Sequence, residues 1–300
     1  MERSFTPLPL SNWGYNLVLN ALARQVAWGF ARPAPGGKRR PENNFKQLLL
    51  WYRLQDELTM QRLGVSAETQ PSDLPFINTI LNHSPLCKLK SKRNLSIELA
   101  GMPNTGKDSL GQIINDLNLP WLSFSHEPYT SLKESGMLPS DPMMQEKYEL
   151  AATMGEIVVA QIELRKKGAV SSGIAVVNRG FTDFPIISRA KLIFGAIPFQ
   201  DFFNPDKGRI FRTTANGNNA TIFFLISPAV AYERVEDKTR EHKYLNPEFL
   251  SILYEQYLLA IYRLIERGEN NIAVLDMSGS VEENLRKLIS VIEVITERNI

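Results

Sequence analysis

A single cysteine, Cys87, stands among the 300 residues. One thiol excludes an internal disulfide and any zinc cluster built on cysteines. Histidine is scarce too, with three residues, and His126 and His242 read as passive rather than catalytic. No apolar run approaches the roughly 18 residues that a spanning helix needs. The opening MERSFTPLPL lacks the apolar stretch of a signal peptide, so a soluble, cytoplasmic protein without membrane contact is expected. No internal repeat is visible. Charge is low overall, at +2, but uneven: residues 1–93 carry 13 Lys/Arg against 6 Asp/Glu, and the remainder is net acidic. A basic first third admits a nucleic-acid partner, although a solvated surface is the commoner meaning of such a bias. The apolar content of 43% suffices for a sizeable core in one large domain or two smaller ones.

What the chain does have is a loop. Leu95–Ser109 reads LSIELAGMPNTGKDS. An alternating apolar run (Leu95, Ile97, Leu99) leads to Gly101, and Gly106-Lys107 follow after four residues. This is the spacing G-x-x-x-x-G-K of a phosphate-binding loop. The glycines let the backbone approach an anion closely, backbone N–H groups cradle it, and the next helix aims its N-terminus at it. Leu110, Ile113, Ile114 and Leu117 supply that helix's apolar face. Gly101, Asn104, Thr105, Gly106, Lys107, Asp108 and Ser109 are therefore the candidate nucleotide-binding residues. Lys107 is expected to be exposed in an empty cleft.

Asp108 stands where such loops carry Ser or Thr, whose hydroxyl is a neutral ligand to Mg²⁺. A carboxylate can bind the ion itself, or it can repel the phosphates, or serve only as a favourable charge in a first helical turn. Ser109 lies about 100° further round the helix and is no automatic substitute.

Residues 1–93 read as a helical N-terminal extension. Helices are expected within Asn12–Arg32 and Phe45–Leu63, with a loop over Arg32–Asn44 and a short helix over Leu74–Leu81 capped by Ser72 or Asp73. From residue 94 to 300, strands and helices alternate, which implies an α/β domain with a parallel sheet of about five strands covered on both faces. Strands are expected at Trp121–Ser125, Gly173–Val177, Thr221–Ile226 and Ile272–Leu275. Long helices are expected over Met143–Lys167, Asp183–Phe194, Pro247–Arg267 (capped by Asn246) and Val281–Ile295 (capped by Ser280), and Pro228 opens a shorter one. Asp183 is read as a helix cap rather than a metal ligand.

In this order the motifs resemble the thymidylate kinase and deoxynucleoside kinase group of P-loop kinases. The resemblance spans about two thirds of the chain: the phosphate loop; Glu127-Pro128 after the second strand; ELRKKGAVSSGIAVVNRG, similar to the helix and strand leading to an Asp-Arg motif; ATIFFLISPAVAYERV; the lid-like ERVEDKTREHKYLNPEFLSILYEQYL; and NIAVLDMSGSVEENLRKL. It implies a P-loop NTPase three-layer sandwich using ATP and Mg²⁺. Gly101, Gly106 and Lys107 would hold the donor phosphates. Glu127 would act as base or positioning group at the acceptor, and Arg179 would bind acceptor or transferred phosphate. Arg234, Lys238 and Arg240 would be lid cations, although their acidic neighbours equally fit a self-paired helix. Asp108 would be the metal ligand.

Two positions depart from the family. Asn178 occupies the place of the acid before the arginine, and Asp108 replaces the hydroxyl. Either the carboxylate has moved from one position to the other, or catalysis has been lost. The implied reaction is transfer of the γ-phosphoryl of ATP to a nucleoside or nucleoside monophosphate, and a homodimer is admitted. The rivals are a catalytically weak nucleotide-binding regulator and a nucleic-acid-associated P-loop protein.

Overall fold

The alternation after residue 94 resolves into one sheet. The computed structural model describes residues 56–77, 95–125, 136–137, 173–179, 182–195, 220–235, 245–269 and 271–296, all within the unit Arg53–Ile300. Its strands are β1 (Leu95–Gly101), β2 (Leu122–Ser125), β3 (Ile174–Asn178), β4 (Ala220–Leu225) and β5 (Ile272–Asp276). They form a five-stranded sheet in the order β2-β3-β1-β4-β5. Every pairing is parallel: Leu95 lies beside Ile174, Ile97 beside Ala220, Leu122 beside Ile174 and Thr221 beside Ile272.

Parallel strands are covered on both faces, and the burial shows it. All five residues of β3 and all six of β4 are buried. In β1, Ile97, Leu99 and Ala100 are fully buried, and so is Glu98. The alternation of that strand therefore separates two covered faces, and the acid lies under helices rather than in water. All strands end at one edge. Since β1 leads to β2 on one side and β4 to β5 on the other, the connections diverge at the β1–β4 pair. A ligand crevice opens at such a divergence, and Gly101 lies there.

The helices are α1 (56–63), α2 (Lys107–Asp116), α3 (Asp183–Ile193), α4 (Pro228–Glu233), α5 (Pro247–Glu266) and α6 (Val281–Thr296). Gly111 lets α2 lie against β2, because a Cβ there would collide with the Phe124 ring. Asn115 then pins the edge strand: its amide accepts from Phe124 N–H at 2.9 Å and donates to Phe124 C=O at 3.2 Å. Pro228 follows the cap Ser227, and Asn246 caps α5 by accepting from Phe249 N–H at 2.8 Å. Ser280 and Glu283 form a reciprocal capping box at α6.

Part of the first third is built onto this core. Met60, Val65, Leu74 and Phe76 join it, and the buried Asp56 accepts from Arg189 of α3 at 2.6 Å and from Gln256 of α5 at 3.2 Å. Where a short helix is expected over Leu74–Leu81, a 3₁₀ turn forms earlier, at Pro71–Asp73, and Leu74 is extended; Pro75 disfavours the helical conformation of the residue before it. The helix expected over Asn12–Arg32, the loop over Arg32–Asn44, the helix over Met143–Lys167, and residues 45–55 and 78–81 of the other two expected helices lie outside the described residues. Among the described residues, no helix is long and apolar enough to cross a membrane.

Candidate nucleotide site

Gly101 starts the loop with φ +133°, and a Cβ there would collide with the backbone of Phe224. Only glycine permits this approach of β1 to β4, and the adjoining Met102 N–H donates to Phe224 C=O at 3.0 Å. Asn104 takes a left-handed conformation, φ 59°, and its side chain donates to Ala231 C=O at 3.0 Å. Gly106, φ 82°, precedes α2 with no side chain capping the helix. The first N–H groups of α2 thus present their partial positive charge to the cleft, as an anion site requires.

Lys107 corrects one expectation. It is only 6% exposed. Its ammonium donates to Met102 C=O at 2.7 Å, Gly101 C=O at 3.1 Å and Thr105 Oγ1 at 3.1 Å. The lysine thus folds back over its own loop, where two carbonyls and a hydroxyl satisfy its ammonium. Thr105 completes the turn by donating to Met102 C=O at 2.9 Å.

Asp108 and Ser109 lie on the exposed first turn of α2. Asp108 reaches across to β3 and accepts from the Asn178 amide at 2.7 Å. The two positions that depart from the family are therefore in direct contact. Asn178 is fully buried, and its Oδ1 has no hydrogen-bond partner. An exposed carboxylate and an unfilled amide oxygen are hard donors of the kind Mg²⁺ accepts. Among the described residues no group of three or more His, Cys, Asp or Glu could hold a metal, so an ion here would rest on this pair and on ligand oxygens.

Arg179 follows at the strand end with φ 58°, its N–H donating to Leu99 C=O at 3.1 Å. Arg234 follows the last residue of α4. Its guanidinium donates to Met277 C=O at 3.1 Å, Ser278 C=O at 3.2 Å, and Asn104 and Gly279 C=O at 3.4 Å. It braces the phosphate loop against the turn after β5, because four carbonyls converge where α4 ends. Glu127, Lys238 and Arg240, and with them His126 and His242, lie outside the described residues.

Behind the loop are three residues whose role in the site the sequence reading misses. Glu98 accepts from the N–H of Thr182 at 3.0 Å and of Asp183 at 3.1 Å, so the strand acid caps α3. Asp183, expected to cap that helix, is its first residue and turns inward. Its Oδ1 accepts from Gly101 N–H at 2.9 Å and from Tyr257 O–H at 2.8 Å. Burial, and next the Asp183 charge, push the Glu98 carboxyl from its ordinary 4.5 to about 7. Burial raises Asp183 as well, opposed by the charges of Lys107 and Arg179. Burial and the Asp183 charge drive the Tyr257 hydroxyl well upward, keeping it a neutral donor. One signal was available: a glutamate in the middle of the apolar run LSIELAG demands a buried partner.

No family model matches the chain, and no curated protein matches it. Similar solved structures include deoxyadenosine kinase from M. mycoides with bound dATP, 13% identical with a TM-score of 0.46 over 66% of this chain and 99% of that one. The same enzyme with dCMP and a flexible dCDP bound is 14% identical, TM-score 0.46, over 67% and 100%. NadR protein in complex with NR is 18% identical, TM-score 0.48, over 69% of this chain and 53% of that one. At such identities and scores these likenesses say nothing of chemistry, which rests on the loop, Asp108, Asn178 and Arg179.

Proposed function

We propose that the domain binds MgATP at the Gly101–Lys107 loop and transfers its γ-phosphoryl group to a nucleoside or nucleoside monophosphate. The observation that carries this reading is the Asp108–Asn178 hydrogen bond of 2.7 Å. In the family that the motifs resemble, a hydroxyl on the helix and an acid on the strand occupy these two places. Here an acid on the helix meets an amide on the strand. One carboxylate remains beside the phosphate loop, which a simple loss of function would not require.

The chain's residues then divide the work. Loop N–H groups and the start of α2 hold the donor phosphates. Lys107 exchanges three internal acceptors for phosphate oxygens. Arg179, at the neighbouring strand end, serves the acceptor side, and Glu127 is assigned through the resemblance as a base for the acceptor hydroxyl or a positioning group. Asp108, with Asn178 Oδ1, would hold Mg²⁺, which would supply positive charge to neutralise the phosphates. Positioning and electrostatics of this kind supply most of the catalysis in phosphoryl transfer.

The test is calorimetry with ATP, with and without Mg²⁺, followed by transfer of labelled γ-phosphate to a panel of nucleosides and nucleoside monophosphates. Magnesium-dependent binding with transfer to one class is expected. Binding without transfer to any acceptor would favour a regulatory nucleotide sensor, and absence of ATP binding would remove the site altogether.

A further inference from the structure

Asp183 is fully buried and belongs neither to the phosphate loop nor to the strand end carrying Arg179. It nevertheless meets both. Oδ1 accepts from Gly101 N–H, where the loop begins, and from Tyr257 of α5. Oδ2 is buried, has no hydrogen-bond partner, and lies 4.0 Å from Arg179 Nε. An unfilled buried carboxylate oxygen is costly. The cost is raised further because Glu98 is packed beside it. A neutral side chain would cap the loop amide more cheaply, so the charge itself needs a purpose; two cations bear on it, Lys107 more strongly and Arg179 next, and Arg179 is the one that lies against the open oxygen.

We infer that Asp183 is a positioning residue for phosphoryl transfer, fixing the start of the phosphate loop through Gly101 with one oxygen and the bearing of Arg179 with the other. The inference rests on the kinase reading above. A charge-assisted hydrogen bond is about 2.7–2.9 Å long, so a 4.0 Å pairing steers the guanidinium without saturating it. Donor and acceptor halves of the site are thereby set in register by one carboxylate, and Tyr257 fixes that carboxylate from behind.

The experiment uses the full chain and the acceptor that the wild-type protein phosphorylates in the panel above. Asp183→Asn retains an oxygen for Gly101 and Tyr257 but loses the charge toward Arg179. It is expected to raise acceptor KM about tenfold and to change MgATP affinity by a smaller factor, because Lys107 also loses the charge it meets. Asp183→Ala also removes the Gly101 partner and should weaken MgATP binding about tenfold as well. In a double-mutant cycle, Asp183→Asn with Arg179→Lys should be little worse than Arg179→Lys alone.

An Asp183→Asn protein that folds and keeps the wild-type acceptor KM overturns the inference, and so does additivity in the cycle. Failure of both the Asn and Ala variants to fold also overturns it, since the residue would then serve the fold. A wild-type chain that neither binds MgATP nor transfers phosphate overturns the kinase reading itself, which separates the two failures.

Discussion

Replacing Glu98 with glutamine should stabilise this protein above neutral pH, although it removes a helix cap. Glu98 is fully buried, and its carboxyl is pushed from an ordinary 4.5 to about 7 by burial and by Asp183. In the unfolded chain it releases its proton near the ordinary value. Between those two pH values the folded state binds more protons than the unfolded one, so stability falls as pH rises through the window. The penalty is absent below the lower value and complete above the upper, at about 3 kcal/mol. Glutamine carries no charge, yet its carbonyl still accepts from Thr182 and Asp183 N–H. Its amide N–H₂ needs new acceptors, a cost of about 1 kcal/mol. Glu98→Gln is therefore expected to gain about 2 kcal/mol at pH 8 and to lose about 1 kcal/mol at pH 4. Urea unfolding of both proteins from pH 4 to 8 measures the difference, in which most other titrating groups cancel. Asp183 contributes to it, because the variant removes a like charge beside it. A difference that stays constant across this range would refute the claim that a buried acid is held up by its surroundings.

The remaining predictions concern the loop, the metal pair and the extension. Lys107→Ala should abolish detectable ATP binding by calorimetry and, because the ammonium satisfies three internal acceptors, should also cost about 1–2 kcal/mol in a urea melt. Asp108→Ser should weaken MgATP about tenfold while leaving metal-free ATP binding unchanged or tighter, and Asp108→Ser with Asn178→Asp should restore the magnesium dependence; equal affinities in all three proteins would place Asp108 outside the metal site. Asp56→Ala leaves Arg189 and Arg263 of the α3–α5 layer without their shared carboxylate and should lower unfolding free energy by about 2–4 kcal/mol, with ATP affinity unaffected.

The five strands were legible because each is a short apolar run closed by a polar or glycine turn, and expected and observed bounds differ by a residue or two. Trp121 was expected in β2 but belongs to the preceding turn; Asn178 and Asp276 extend β3 and β5 as their neighbours continue pairing. The helices from Pro247 and Val281 were announced by Asn246 and Ser280, local caps that need no tertiary information. The loop was legible from spacing alone. What pattern could not convey is contact between distant residues. The meeting of Asp108 with Asn178 depends on α2 standing over the end of β3. The burial of Lys107 is not legible because two of its three acceptors are backbone carbonyls, invisible to residue patterns. Asp183 looked like a cap because an acid before a helix usually is one. Here Glu98, reaching from another strand, had already taken that place.

Strand order also bears on how the chain comes into being. β1 receives its sheet partners only from β3 and β4, and the loop's first turn is tied to Phe224. The complete phosphate-binding motif therefore emerges from the ribosome long before the residues that shape it, and nucleotide competence arrives late in synthesis. Until then LSIELAG is an apolar strand with both edges open, the kind of segment that recruits its like from neighbouring chains. Glu98 sits at its centre. While the chain is unfolded, that carboxylate is hydrated and ionised, and it interrupts the run as a gatekeeper charge. The residue that is an electrostatic burden in the finished protein would thus shield the nascent one until β3 and then α3, which covers it, have been made.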